Sequence, residues 1–159
     1  MTVTASTVID APAEAIFAIL TDPAQHPLID GSGHVTGPST GPSTGPSTGP
    51  ATGTATGAQR LELGSEFGMS MKRGATYKTA NRVVEFEPGR LIAWRHKAPH
   101  RWRYELEPDP SGGTKVTETW DISRWPFGAR QGLHLLLGGQ TQRGIERTLA
   151  KLKAVAEAA

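Results

Sequence analysis

The sequence predicts an α+β fold in which a curved antiparallel sheet of about seven strands wraps around a long C-terminal helix. Three patterns predict it. The stretch from Phe67 to Ser123 reads as a meander of strands, and from Gly132 onward apolar residues recur at helical spacing. An alternating first strand, followed by two short helices, opens the chain. A sheet that curves around one helix leaves a space between them, so the sequence also predicts an internal cavity.

The N-terminal elements follow from local signals. Thr2 to Asp10 alternates and is rich in Val, Ile and Thr, which favours a strand. Asp10 or its neighbour is expected to cap a helix over Ala13 to Leu20, with Pro12 tolerated in its first turn. A second short helix is expected to stop at Pro27. His34-Val35-Thr36 then begins the second strand.

The later elements are bounded by turn signals. Pro88-Gly89 and Ser111-Gly112 predict hairpin turns. Residues 59–63 are expected to rejoin the second strand's hairpin. In the final helix, Gly138-Gly139 predicts a kink or a boundary.

A four-residue repeat, TGPS, runs through residues 36–58. It holds no charged or large side chain, so it cannot bury enough apolar surface to offset the entropy of ordering, and we expect a mobile loop. It reads as a low-complexity insertion in a single domain that spans residues 1–159. The repeat is either a hairpin loop expanded at a tolerant site or a lid or partner-binding arm.

Composition excludes several classes of function. The net charge is +2 without a dense Lys/Arg cluster, which argues against nucleic acid as a partner. The absence of cysteine excludes thiol chemistry. With neither a signal-like N-terminus nor a membrane-length apolar run, we expect a cytoplasmic protein that does not insert into membranes. We expect a monomer or a homodimer, and no cofactor.

Five strings carry a resemblance to a known family: VIDAPAEAIFAILTDPAQHPLID, GSEFGMSMK, VVEFEPGRLIAWRH, HRWRYELEP and GGTKVTETWD. The chain resembles the START-like, or SRPBCC, superfamily, in particular its polyketide cyclase/dehydrase branch. The resemblance covers the chain except the repeat. It implies a helix-grip fold, seven strands that grip the last helix, and a pocket for an apolar small molecule. It implies no particular reaction.

The turns predict a strand register. A three-residue loop, Ala98 to His100, would set Trp94 opposite Tyr104, with Ile92 facing Leu106 and His96 facing Trp102. The turn from Asp109 to Gly113 would set Tyr104 opposite Glu118, Leu106 opposite Val116 and Trp102 opposite Trp120. His96, Tyr104 and Glu118 would then form a polar group on the concave face.

Glu118 is the main candidate for a catalytic residue. Burying a carboxylate without a partner is costly, so Glu118 should pair or keep its proton. Its candidate partners are Tyr104, His96, Asn81 and Arg82. A protonated carboxyl beside Tyr104 and His96 could protonate a carbonyl or abstract an acidic proton. The alternative is a structural role near the open end of the sheet.

Other candidate residues are apolar. The residues expected to contact a ligand are Phe67, Met69, Met71, Tyr77, Arg82, Trp94, Trp102, Trp120, Leu133 and Leu137. His96 and His100 lie four residues apart, but no third ligand is evident, so we expect no metal.

Three functions fit this sequence. The first is the binding of an apolar or aromatic, lipid- or polyketide-like small molecule in the cavity. The second is a cyclase/dehydrase that uses Glu118, Tyr104 and His96 as general acid and base. The third is a protein-interaction module, which the charged outward residues disfavour. Binding is the preferred interpretation, and whether the protein is an enzyme stays open.

Overall fold

The computed structural model describes residues 2–39, 60–96 and 98–159. They form a seven-stranded antiparallel sheet and three helices. The strands are β1 (Thr2–Ile9), β2 (Val35–Ser39), β3 (Glu66–Arg73), β4 (Ala75–Glu87), β5 (Leu91–Arg95), β6 (Arg101–Pro108) and β7 (Thr114–Asp121). The helices are α1 (Ala13–Leu20), α2 (His26–Ile29) and α3 (Phe127–Glu157). The order β1-β7-β6-β5-β4-β3-β2 leaves the sheet open, and the predicted α+β helix-grip architecture is confirmed.

Two predicted hairpin turns are confirmed, and each places a glycine where other residues are strained. Gly89 has φ 71° between β4 and β5, and Gly112 has φ 101° between β6 and β7. At the second turn the Asp109 carboxylate accepts a hydrogen bond from the backbone N–H of Ser111 at 2.9 Å. These turns fix which residues of neighbouring strands face each other.

The predicted register is correct for one hairpin and wrong for the other. Between β6 and β7, Tyr104 faces Glu118 and Trp102 faces Trp120, as predicted. Between β5 and β6, Trp94 faces Trp102 instead of Tyr104. The chain leaves β5 after Arg95, so the connection runs from 96 to 100 and the pairing moves by two residues. A shift of two keeps every side chain on its predicted face.

The short helices begin differently from the prediction. Pro12 is the N-cap of α1 and makes no side-chain capping bond, so Asp10 does not cap this helix. The backbone N–H of Asp10 instead donates to Glu157 Oε1 at 2.8 Å. Pro27 lies in the first turn of α2, where its missing N–H costs no hydrogen bond, and the helix continues to Ile29.

The chain between the repeat and β3 is not a strand. Leu61 is 4% exposed and packs in the core, and its N–H donates to the carbonyl of Thr21 at 2.7 Å. The expectation that residues 59–63 rejoin the hairpin of β2 is therefore wrong for the described residues 60–63. The first repeat residues, 36–39, belong to β2, while the rest of the predicted insertion, 40–58, lies outside the described residues.

Helix α3 runs unbroken from Phe127 to Glu157, so Gly138-Gly139 does not mark a boundary, and a kink there stays a prediction. Each glycine costs a helix only about 1 kcal/mol relative to Ala, which the long flanking segments can absorb. The C-terminal half of α3 packs into the core through Ile145, Leu149 and Leu152. Residues of α3 between 133 and 148 carry part of the lining of a cavity.

Candidate functional site

A cavity of about 540 Å³ lies between the concave face of the sheet and residues 133–148 of α3. Its aromatic wall comes from β5, β6 and β7, since Trp94, Trp102 and Trp120 all point inward. Leu133 and Leu137 of α3 line the opposite side. The predicted internal space is therefore present, with a size typical of small-molecule sites.

The segment after α2 closes one side of the cavity against α3. A Cβ on Gly31 would lie 2.2 Å from the carbonyl oxygen of Gly144, so only glycine allows this approach. The N–H of Gly31 donates to Thr148 Oγ1 at 3.0 Å. The Asp30 carboxylate accepts from the backbone N–H groups of His34 and Val35, each at 2.8 Å. This wall is thus fixed by backbone contacts.

Glu118 is buried in the cavity wall, with 2% of its surface exposed. Its Oε1 accepts a hydrogen bond from the Tyr104 hydroxyl at 2.8 Å, and its Oε2 has no protein partner among the described residues. Burial raises the pKa of Glu118 to about 8; the Tyr104 hydrogen bond opposes that rise, and the charge of Asp30 adds to it. Burial, together with Glu118, also raises the pKa of Tyr104 well above 10. At neutral pH Glu118 is therefore a carboxylic acid.

A continuous series of rings extends from Glu118 along the wall. The Tyr104 ring lies 5.3 Å from the Trp94 ring, and Trp94 stacks on His26 at 5.2 Å between centroids. Phe67 meets both His26 and Trp94 edge-on, at 5.5 and 5.7 Å. This packing fixes the orientation of each ring.

His26 is a residue of the site that the sequence did not identify. It is 3% exposed and lines the cavity. Its Nε2 lies 2.9 Å from the carbonyl oxygen of Leu20, and its Nδ1 has no partner in the described part of the chain. Burial lowers the pKa of His26, partly opposed by the Leu20 carbonyl and by Asp22. A histidine just beyond a predicted helix end reads as a loop residue, and only its position beside the apolar Leu28 and Ile29 hinted at burial.

His96 and His100 line the other side of the cavity, and neither lies on a strand. Their rings are 5.3 Å apart, and His100 meets Trp120 at 6.0 Å. Burial, with repulsion from His100, lowers the pKa of His96 to about 4, so its ring is neutral at neutral pH. Nδ1 of His96 is buried without a partner among the described residues.

Eight of the ten residues predicted to contact a ligand line the cavity: Met69, Met71, Tyr77, Trp94, Trp102, Trp120, Leu133 and Leu137. Phe67 packs behind the lining, against His26 and Trp94. Arg82 is exposed, because its position in β4 places it on the opposite face from the buried Asn81 and Val83. It faces Glu66 and Arg95 across the neighbouring strands.

Among the described residues, one of the predicted partners of Glu118 forms a hydrogen bond with it. Tyr104 is the one that bonds it. Asn81 instead donates to the carbonyl of Phe67 at 3.4 Å. Arg82 lies on the wrong face of the sheet. No cation among the described residues lies at hydrogen-bonding distance from Glu118, so its charge would be uncompensated and the neutral acid is favoured.

The mouth of the cavity is positively charged. Arg73, Arg143 and Arg147 line the cavity and are exposed. None of the three forms a salt bridge with the described part of the chain. The rim thus differs from the aromatic wall of Trp94, Trp102 and Trp120, while Asp30 places one carboxylate in the lining.

The open sheet, the gripped helix and the cavity define a START-like, helix-grip protein. Residues 1–157 match the family model described as "Polyketide cyclase / dehydrase and lipid transport", and the chain belongs to that family. The predicted resemblance is confirmed.

Relatives and solved structures agree with this assignment. The chain is 36% identical over 156 residues to "Uncharacterized protein Rv0088" of Mycobacterium tuberculosis, covering 94% of this chain. It spans 62% of the length of that relative. Among solved structures it is similar to NE0264 from Nitrosomonas europaea (TM-score 0.68, 15% identity, covering 99% of this chain and 95% of that one). It is also similar to the AHSA1-like protein from Aeromonas hydrophila (TM-score 0.63, 17% identity, covering 98% and 94%). At these identities the structures establish the fold alone.

Membrane-spanning helices and metal-binding clusters are both absent from the described residues. The described residues include no helix with the length and apolar character needed to cross a bilayer. They also contain no cluster of three His, Cys, Asp or Glu side chains able to hold a metal ion.

Proposed function

We propose that this protein binds an apolar, aromatic small molecule, lipid- or polyketide-like in shape, inside the cavity between the sheet and α3. The observation that carries the proposal is a space of about 540 Å³ walled by Trp94, Trp102 and Trp120, beside the buried hydrophobic core. The family description, which includes lipid transport, supports the same class of ligand.

The chemistry of the walls favours a flat, uncharged molecule. Burying apolar surface contributes about 25 cal/mol per Å², and aromatic faces add offset or edge contacts. Glu118 and His96 are neutral at neutral pH, so neither offers a charge to an ionic ligand. A few polar atoms in an apolar wall orient a ligand without supplying most of its affinity.

A neutral fluorescent dye, N-phenyl-1-naphthylamine, tests this proposal. It carries no charge, so its binding does not report attraction to the arginines at the mouth. We expect saturable binding with one dye per chain and transfer of energy from the cavity tryptophans. Native mass spectrometry of protein purified from its own host would then identify a co-purifying ligand.

Helix α3 offers a matched pair of variants for this test. Leu137→Trp places a large ring inside the cavity, whereas Leu135→Trp places the same ring on an outer position that is 84% exposed. Dye affinity should fall at least tenfold in Leu137→Trp and stay within twofold of wild type in Leu135→Trp. Equal affinity in both variants would contradict binding in the cavity.

A second function, general acid–base catalysis of the cyclase/dehydrase type, is favoured by Glu118. Its unpaired Oε2 lies in the cavity wall, and its pKa of about 8 keeps a proton available at neutral pH. In such a reaction Glu118 would protonate a carbonyl oxygen, with Tyr104 orienting the carboxyl group and neutral His96 accepting a proton.

Catalysis is distinguished from binding by the fate of the ligand. The ligand identified from the host would be incubated with wild type and with Glu118→Gln. Turnover should fall about 10²-fold in the variant while dye binding is retained. Recovery of a chemically unchanged ligand from both proteins would leave binding as the function.

A further inference from the structure

The hairpin between β3 and β4 forms one edge of the cavity mouth. Arg73 lies at the end of β3 and Tyr77 near the start of β4, and both line the cavity. The hairpin is tight, since Arg73 faces Ala75 and Met71 faces Tyr77. Tyr77 is 44% exposed although it lines the cavity. This edge therefore presents an arginine and an aromatic ring to solvent.

Helix α3 forms the other edge with one stripe of residues. Leu136, Gln140, Arg143 and Arg147 stand at positions i, i+4, i+7 and i+11, which places them on one side of the helix. The last three line the cavity and are exposed. Leu136 is 82% exposed, so a large apolar side chain lies in water at this edge. The exposed Glu146 lies off this stripe, about 100° around the helix from Arg147.

The mouth has a net positive charge. Residues 67–81 and 122–145, which form most of the two edges, hold six Lys and Arg residues and no Asp or Glu. Two carboxyl groups line the cavity, those of Asp30 and Glu118. The Asp30 carboxylate accepts hydrogen bonds from three backbone N–H groups of its own wall, and Glu118 is neutral at neutral pH. Exposed arginines therefore dominate the charge at the mouth.

We infer that this mouth face, formed by Arg73, Tyr77, Leu136, Arg143 and Arg147, docks on an anionic membrane surface. Apolar and aromatic side chains enter the boundary between headgroups and acyl chains, and arginine binds lipid phosphate through its planar fork of donors. A second copy of the chain would bring like charges together, which disfavours self-association through this face. Docking in this orientation turns the cavity toward the bilayer. The inference goes beyond the proposed function, because docking requires no ligand in the cavity.

Co-sedimentation with lipid vesicles tests the inference on the wild-type chain. Each cation near an anionic surface strengthens binding about fivefold, so vesicles of phosphatidylcholine with about 30% phosphatidylglycerol should bind at least tenfold more tightly than phosphatidylcholine alone. Binding should weaken as salt rises from about 0.1 M to about 0.5 M, because salt screens exposed charges. Equal binding to both vesicles, or to neither, would overturn the inference. The proposed function would still stand, since the dye is bound without vesicles.

Paired arginine variants locate the docking face. Arg143→Gln combined with Arg147→Gln should weaken binding to the anionic vesicles at least tenfold. Arg82→Gln combined with Arg95→Gln is the matched control, because it removes the same charge from two exposed arginines that face each other between β4 and β5. The control should weaken binding less than about threefold. Equal losses would mean that net charge alone attracts the vesicles and would overturn the docking face.

A pair of leucine variants separates a membrane from other anionic partners. Leu136→Gln removes the apolar side chain at the mouth, whereas Leu63→Gln removes one that is 64% exposed beyond the opposite end of β3 from Arg73. Vesicle binding should weaken about fivefold in the first and stay within about twofold of wild type in the second. Equal binding by both variants would overturn the inference. Binding to poly-glutamate as tight as to the anionic vesicles would assign the face to an acidic protein and overturn it as well.

Discussion

Glu118 and Asp121 lie three residues apart on β7, and their carboxyl groups are in opposite electrostatic states. Glu118 points into the cavity, and its pKa is raised to about 8. Asp121 points to the outer face, where Arg101 Nη2 lies 2.6 Å from its Oδ2. Burial alone would raise the pKa of Asp121, but hydrogen bonds from Arg101 and Ser123 outweigh it and hold the pKa at about 2.

The pKa values of Glu118 and Asp121 differ because Asp121 has a cationic partner, Arg101, and not because of burial alone. On the outer face, Arg101 and Arg103 both bridge to Glu85, and Arg103 also contacts Glu105. Each of these outer carboxylates therefore has a cationic partner while partly shielded from water. The inner face supplies Glu118 with a hydroxyl and no cation in the described residues, so its charge is not compensated. One strand thus carries a scaffold of ion pairs outside and a neutral acid inside.

The largest expected effect concerns the inner acid. The folded-state pKa of Glu118, about 8, exceeds its ordinary value of 4.5, so its stabilisation is complete below pH 4.5 and is lost as the pH rises toward 8. Between pH 6.5 and 8, the contribution of Glu118 to the free energy of unfolding, measured as wild type minus Glu118→Gln, should fall by about 1.6 kcal/mol, at up to 1.4 kcal/mol per pH unit. Urea unfolding at three pH values in that window measures the slope.

Glu118→Gln is the matched control for this slope. Gln keeps an acceptor for the Tyr104 hydroxyl but does not titrate, so subtracting its stability from that of wild type leaves the contribution of Glu118. The buried histidines, whose folded-state pKa values are lowered, add stability as the pH rises through and above 6.5, and this gain is common to both proteins. A difference between the two proteins that stays constant over the window would show that Glu118 is ionised at neutral pH.

The next largest expected effect concerns the ion pairs that Arg101 forms on the outer face of the sheet. Arg101→Gln removes the cation that bridges Asp121 and Glu85, so Asp121 loses its cationic partner on a partly buried surface and Glu85 keeps only Arg103. We expect a loss of about 1–2 kcal/mol at pH 7. The loss should shrink as the pH falls from 3.8 toward 2, since Asp121 then becomes protonated and its stabilising charge disappears in wild type too.

Lys115→Gln serves as the control on the same face. Lys115 lies 3.8 Å from Glu107, and both side chains are about half exposed, so this variant should change stability by less than about 0.5 kcal/mol. Equal losses in the two variants would mean that the outer ion pairs are all surface pairs, and the contrast between the two faces would lose its physical basis.

The fold could be predicted from the sequence because its signals are local and repeated. Alternation along β6 and β7 and the glycine at 112 fixed both the faces and the register of that hairpin. The β5–β6 register was wrong by two residues because the loop at 96–100 carries no glycine or other two-residue turn signal. A shift of two residues leaves each side chain on the same face of the sheet. This is why eight of ten expected lining residues do line the cavity.

Most of the site residues that could be predicted lie on strands, together with Leu133 and Leu137 on α3. Glu118 and Tyr104 come from a register that the turn defines. His26 was missed because its burial depends on the packing of α2 against Trp94 and Phe67, which are distant in sequence. Arg82 was placed inside because a partner for Glu118 was expected, whereas alternation along β4 puts it outside.

The smallest effect tests how Tyr104 links the inner acid to the wall. Tyr104→Phe removes the hydroxyl that donates to Glu118 Oε1 and keeps the ring against Trp94. Because that hydrogen bond opposes the rise in the pKa of Glu118, the pKa should increase further, and the fall in stability should extend above pH 8. The loss at pH 6.5 should be about 1 kcal/mol or less, since Glu118 is protonated there and loses one neutral hydrogen bond. Carboxyl ¹³C NMR of Glu118 measures the pKa directly. A pKa that falls in Tyr104→Phe would mean that water or another donor reaches Oε1, and the wall around the inner acid would then be open where the structure has it closed.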